Sequence, residues 1–284
     1  MTIAPITLVS VAVKPAPKLT SELGPNLNIA IHAFLDYTTV QPVDLLLQIG
    51  VAGYTGQAVS PDRFAIAGNP TRHTIAGDGG VGQRAWLRIE DQFRCDYKAK
   101  VLINRPNPVF DTLAGMQFGA LDGDTVGYLM PSRNCFPEDF LDITTTTFAG
   151  LAGGVRVAAM TEWIGQKFTY DPFASHMHMT ATESLAALRG VCRDYAHVLI
   201  AMCRAVGTPA RIVSVYAPHV TPQDFHAVVE VYLAGAWHLI DTTGMAQADE
   251  MAVIGVGRDA ADISFMTSYG FVEIKKQTVT VSQV

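Results

Sequence analysis

Along QFRCDYKAKV, residues 92–101, apolar and polar positions alternate. Phe93, Cys95, Tyr97, Ala99 and Val101 fall on one side, Arg94, Asp96, Lys98 and Lys100 on the other. A period of two predicts an antiparallel strand with one buried face. Upstream, LNIAIHAFLDYTT and VDLLLQIGVA are strand-like apolar runs separated by VQP, where a proline punctuates the chain. The first hundred residues therefore predict β structure. NRPNPVF, residues 104–110, breaks the pattern with two prolines and two asparagines. A boundary there gives an N-terminal β domain over 1–105 and a second domain over 106–284.

Beyond it the period changes. VRVAAMTEWIGQKF, from Val155, carries apolar residues at helical spacing, and DPFASHMHM follows as a loop. Thr180 and Glu183 form a capping box for the next helix, with Arg189 and Gly190 as its stop. A further helix begins at Cys192 and ends at Gly207 and Pro209. On it Cys192, Tyr195, Ala196, Leu199, Cys203 and Val206 share one inward face. Strands follow in ARIVSVYA, FHAVVEVYLA and WHLIDT, and FVEIKKQTVTV near the C-terminus is a strand that packs back on the sheet. Helices followed by an antiparallel sheet indicate an α+β domain rather than a doubly wound one. MPSRNCFPEDF reads as a loop between prolines, which makes Cys135 the more exposed of the structural thiols.

Composition narrows the function. Of 284 residues 49% are hydrophobic and 16% charged, the balance of a globular protein with a large core. The net charge of −6, with no basic run, argues against a nucleic-acid partner. The opening MTIAPITLVSVAVKPAP lacks a basic start, a continuous apolar core and a cleavage site, so no secretory leader is expected. No apolar stretch approaches about 18 residues, so no membrane span is expected. The four cysteines, Cys95, Cys135, Cys192 and Cys203, are dispersed and form no C-x-x-C pair. That spacing fits neither a disulfide framework nor structural zinc, and suggests reduced thiols in the cytoplasm. His176 and His178 sit in a loop without an acidic ligand pattern, and no cofactor or metal is expected.

One thiol stands apart. Cys192 lies in the first turn of its helix, where unpaired N–H groups and the helix dipole stabilise an anion such as a thiolate. Gly190 just before it would let a substrate backbone come close. A nucleophile also needs a base, and the base an orienter. His226 opens a strong strand, and Asp241 closes the strand that returns after the turn at Ala234-Gly235. With a two-residue turn, Leu233 faces Ala236 and Val228 faces Asp241. Asp241 is then a diagonal neighbour of His226 on the same face, roughly 5–8 Å away at Cβ. A three-residue turn would put the two on opposite faces. His238 is the rival base, on the face opposite Asp241, and His197 reads as helix packing.

The segments SLAALRGVCRDYAHVLIAMCRAVGTPARIVSVYA and DFHAVVEVYLAGAWHLIDTTG resemble the transglutaminase-like superfamily of cysteine enzymes. The nearest branch is the bacterial transglutaminase-like cysteine peptidases that carry an N-terminal β domain. In that family a G-V-C-x-D-F/Y-A-H helix start, a D-F-H-A-x-V-E-V strand and a W-x-x-x-D-P-T strand carry nucleophile, histidine and aspartate. GVGRDAADIS, residues 255–264, resembles its G-R-D-x-A-D-V segment. The resemblance implies a papain/transglutaminase-like α+β core, helices packed on an antiparallel sheet, behind an all-β domain. It implies Cys192 as nucleophile, His226 as general base and acid, and Asp241 as orienter. The implied reaction is hydrolysis of a peptide or amide bond in a peptide or protein substrate through a thioester acyl-enzyme. Amine transfer between side chains, or a non-catalytic binding module on the same fold, are the alternatives. Thr242 stands where the family has proline, and Tyr195 where phenylalanine is common. One oxyanion donor is expected to be the Cys192 amide. Arg258, Asp259 and Asp262 read as a loop ion-pair set rather than as cleft residues.

Overall fold

The computed structural model describes residues 26–68 and 70–284, so the opening segment read for a leader lies outside the described residues. The N-terminal half contributes β1 (Leu27–Thr38), β2 (Val43–Leu47), β3 (Gln57–Val59), β4 (Arg63–Ile66), β5 (His73–Ala76), β6 (Gln83–Ile89) and β7 (Gln92–Ile103). β1 and β7 pair antiparallel from Leu27 opposite Ile103 to Thr38 opposite Gln92. The alternation in β7 is realised in full: Phe93, Cys95, Tyr97, Ala99 and Val101 are buried, and Arg94, Lys98 and Lys100 face water. Burying each of the larger rings contributes about 1.5–3 kcal/mol relative to exposure. β3 and β4 pair with the other edge of β7, while β5, β6 and β2 form a second sheet. Leu35, Leu45, Leu47, Leu87, Phe93 and Tyr97 fill the space between the two sheets.

The remainder runs α1 (Gly123–Val126), α2 (Leu141–Thr147), α3 (Gly153–Lys167), β8 (Thr169–Tyr170), α4 (Ala181–Ala187), β9 (Arg189–Gly190) and α5 (Cys192–Ala205). It continues through β10 (Ala210–Tyr216), β11 (His226–Leu233), β12 (Ala236–Ile240), β13 (Ala252–Gly257), β14 (Met266–Ser268) and β15 (Glu273–Gln283). An antiparallel sheet in the order β12-β11-β10-β13 carries α5 and α3 on one face. Val157, Met160 and Ile164 of α3 meet Leu199 and Ile200 of α5 and Val229 and Val231 of β11 in that layer. Fold and class agree with the α+β expectation.

The strand expected in FVEIKKQTVTV does not pack back on this sheet: β14 and β15 leave it for the two N-terminal sheets, whose exposed edges they cover. β14 pairs with β2, and β15 pairs with β1 from Ile29 opposite Gln283 to Thr38 opposite Glu273. The two halves share a seam at Tyr216, whose hydroxyl donates to the Ile49 carbonyl (2.9 Å) and whose ring stacks on Tyr97 (6.4 Å).

Three local expectations need correction. α5 is buried all round from Asp194 to Arg204, not along one face, because α3, α4 and the preceding loop cover the side away from the sheet. Its buried arginine is therefore satisfied internally. Arg204 donates to the carbonyls of Ala210, Met130 and Arg258 and to Ser132 Oγ. Cys135 is fully buried, its thiol directed at the His197 carbonyl (3.6 Å), since the loop between the prolines folds beneath α5 rather than over the surface. The stop of α4 is Leu188 in the left-handed region (φ 51°), and Arg189–Gly190 instead form β9, parallel to β8. The capping box at Thr180 and Glu183 is present as expected.

Candidate active site

The first turn of α5 is built around Asp194. Its Oδ2 accepts the Val191 N–H (2.8 Å), closing the helix start, and the Val191 carbonyl accepts the Asp194 N–H (2.9 Å). A Cβ on residue 190 would lie 2.5 Å from Asp194 Oδ2. Gly190 thus makes room for the capping carboxylate. Cys192, the first helical residue, is half-buried, in contrast to Cys95, Cys135 and Cys203.

The β11–β12 hairpin turns through Ala234 (φ 51°) and Gly235 (φ 82°), both in the left-handed region that a two-residue primed turn requires. Leu233 accordingly faces Ala236, and the ladder runs back to Val229 opposite Ile240. That register brings the ends of the two strands together: His226 Nε2 lies 2.9 Å from Asp241 Oδ2, with both side chains almost wholly buried. After Asp241 the chain wraps over the carboxylate, which accepts the amides of Thr243 (2.8 Å), Met245 (3.1 Å) and Ala246 (3.0 Å) and the Thr243 hydroxyl. Gly244, at φ 72°, permits the wrap. Burial alone would raise the Asp241 pKa, but the His226 ring and these donors outweigh it and hold the carboxyl below its ordinary value.

Because an ionised carboxylate only accepts, Nε2 is the donor to Asp241, which leaves Nδ1 for another role. Nδ1 is buried and has no hydrogen-bond partner, and Cys192 is the other side chain acting on the ring. Burial lowers the imidazolium pKa, yet Asp241 and Cys192 together more than reverse this and lift it to about 10. The resting arrangement can therefore hold a proton on His226 at neutral pH.

Tyr170 was not legible as a site residue. The β8–β9 bridge pairs it with Gly190, and its hydroxyl faces both the amide and the side chain of Cys192. Burial, then the Cys192 side chain, push the phenol up to about 12, so it remains a donor. His238 is held elsewhere, its Nε2 against the Leu233 carbonyl (3.1 Å). His197 is buried in α5, with Nε2 accepting the Ala260 amide (3.1 Å), and burial lowers its pKa. His176 and His178 stay on the loop after β8. Among the described residues no cluster of His, Cys, Asp and Glu has the arrangement of a metal site. Arg258 and Asp262 form an exposed ion pair (3.0 Å), while buried Asp259 accepts the Asn134 amide (2.8 Å), a structural use of that segment. A cleft of about 1710 Å³ has the Arg211–Glu230 pair, Trp237, His238, Arg258 and Asp262 among its walls. It contains neither Cys192 nor His226 nor Asp241.

A cysteine at a helix start, a histidine opening the second of the following strands and an aspartate closing the next define a transglutaminase-like core. Residues 149–242 match the family model described as the transglutaminase-like superfamily, so this segment carries a transglutaminase-like core domain. The fold is similar over 92% of both chains to the crystal structure of "a Putative Cysteine Protease from Cytophaga hutchinsonii", with a TM-score of 0.87 and 25% identity. Among curated proteins, the chain is 28% identical over 116 residues to "Uncharacterized protein ML0607" of Mycobacterium leprae. That match covers 38% of this chain and 42% of the relative, so the chain spans less than half of that protein's length. No helix among the described residues is long and apolar enough to cross a membrane.

Proposed function

We propose that the chain is a cysteine peptidase or amidase that hydrolyses peptide or amide bonds through a thioester on Cys192. The observation that carries this reading is the buried His226–Asp241 pair with an unpartnered Nδ1 and Cys192 as the ring's other neighbour. The cysteine-protease description of the relative from Cytophaga hutchinsonii supports hydrolysis over amine transfer.

In the reaction, the Cys192 thiolate attacks the amide carbonyl carbon, forming a C–S bond and pushing the carbonyl electron pair onto oxygen. The Cys192 N–H and the Tyr170 hydroxyl donate to that oxyanion. When the carbon–nitrogen bond breaks, His226 gives its proton to the leaving amine. The neutral imidazole then takes a proton from water as the water attacks the thioester, and the carbon–sulfur bond breaks to release the carboxylic acid and restore the Cys192 thiolate beside protonated His226. Asp241 stays ionised throughout and fixes the ring so that Nδ1 serves the reaction.

The test is alkylation of the native protein by iodoacetamide from pH 5 to 9, mapped to each cysteine by mass spectrometry beside a denatured control. Cys192 is expected to react fastest and to remain reactive well below pH 8. Slower labelling than the buried thiols in the native state, with full labelling after denaturation, would remove the case for a nucleophile and leave a binding module.

A further inference from the structure

The loop over residues 171–179, tied at Asp171 and Ser175 to the segment around the start of α5, leaves two large apolar side chains in water. Phe173 is 99% exposed and Met177 76%. Slackness does not account for this, because the loop backbone is tied down. Asp171 donates its N–H to the Gly190 carbonyl (2.9 Å), and its carboxylate accepts the Phe173 amide (2.9 Å). The His176 carbonyl accepts the Met179 amide (3.0 Å), and His176 Nδ1 accepts the His178 amide (3.3 Å). An ordered loop that holds a phenylalanine outward forgoes the gain from burying it.

The attachment points place this loop. It starts one residue after Tyr170, whose hydroxyl faces Cys192. At its middle, Ser175 Oγ accepts from Arg193, the residue that follows Cys192 (3.0 Å). Both attachments therefore lead to the first turn of α5. The loop holds one carboxylate and no lysine or arginine, so what it offers a ligand is apolar contact.

We infer that Phe173 and Met177 form an acyl-donor subsite of Cys192, which selects polypeptides with a large apolar side chain next to the scissile amide. This rests on the reading of Cys192 as the nucleophile. A single apolar contact of this kind discriminates by about 10-fold or more.

The test uses two peptidyl vinyl sulfones that differ only beside the electrophile, one with leucine and one with serine. Trapping of Cys192 by each is followed by mass spectrometry and divided by the iodoacetamide rate of the same protein. In the native protein the leucine probe should be faster by about 10-fold or more, and in the F173S/M177S double variant the ratio should fall towards one. A ratio near one in the native protein, or one unchanged in the double variant, would overturn the subsite. Sedimentation of native protein as a dimer and of the double variant as a monomer would also overturn it, by making the patch an interface between copies. If native Cys192 resists iodoacetamide and both probes, the nucleophile itself is wrong, and the subsite falls with it.

Discussion

The first and last turns of α5 each carry a cysteine, and the helix treats them in opposite ways. Cys203 is fully buried among Ala210, Ile212 and Val231, and burial pushes its thiol up to about 12. Cys192 is half-buried, lies at the positive end of the helix and has His226 and Tyr170 as neighbours. Residue type and helix are the same. What differs is the company each thiol keeps, and it takes a helix start plus strands from elsewhere in the chain to assemble the second setting.

The comparison can be broken most decisively at Cys192. Cys192→Ala should lower turnover by at least about 10⁴-fold, while the urea midpoint stays close to that of the native protein. Retained turnover would move the chemistry elsewhere. Asp241→Asn should cost about 10²–10⁴-fold in kcat with the fold intact, because the ring loses the group that fixes its tautomer. Circular dichroism beside kinetics separates that outcome from misfolding.

The pH dependence of stability sharpens the electrostatic half. His226 has a pKa of about 10 in the folded chain against an ordinary 6.5. Its contribution to stability is thus complete below about pH 6.5 and is lost as the pH rises towards 10. The urea midpoint of the native protein should fall between pH 7 and 10 by more than that of His226→Gln. Parallel slopes would mean that the imidazolium is not favoured by folding.

Cys203→Ala should reverse the Cys192 result, with activity kept and stability lowered by about 1 kcal/mol for the small void. Loss of activity in a fully folded protein would show that the two thiols were assigned the wrong way round. The smallest expected effect is at Thr242. Its hydroxyl is buried without a hydrogen-bond partner, so Thr242→Val should stabilise by up to about 1 kcal/mol.

The sequence carried the His226–Asp241 pairing because one local feature decides it. Ala234-Gly235 is a two-residue turn, and the period of a strand does the rest. The strand of the N-terminal half with period two was legible for the same reason. Tyr170 was not, since β8 and β9 pair over two residues only and leave no periodic trace. The need for glycine at Gly190 to admit the Asp194 carboxylate was not legible either, because a side chain folding back over the helix start leaves no mark in spacing. Cys135 and the outer side of α5 look exposed in the sequence, and what covers them comes from distant segments.

The pairing of β15 with β1 bears on how this chain can be divided. The strands nearest the two described ends are neighbours in one sheet, so the α-helical portion and its sheet emerge from the β portion and return to it. Cutting the backbone near residue 105 would therefore not yield two finished pieces. The C-terminal fragment would carry off a strand that belongs to the other, leaving each with an unsatisfied ladder open to pairing with other chains. In design terms the α-helical portion resembles a guest inserted into a host, and grafting it elsewhere would require a scaffold with two adjacent attachment points.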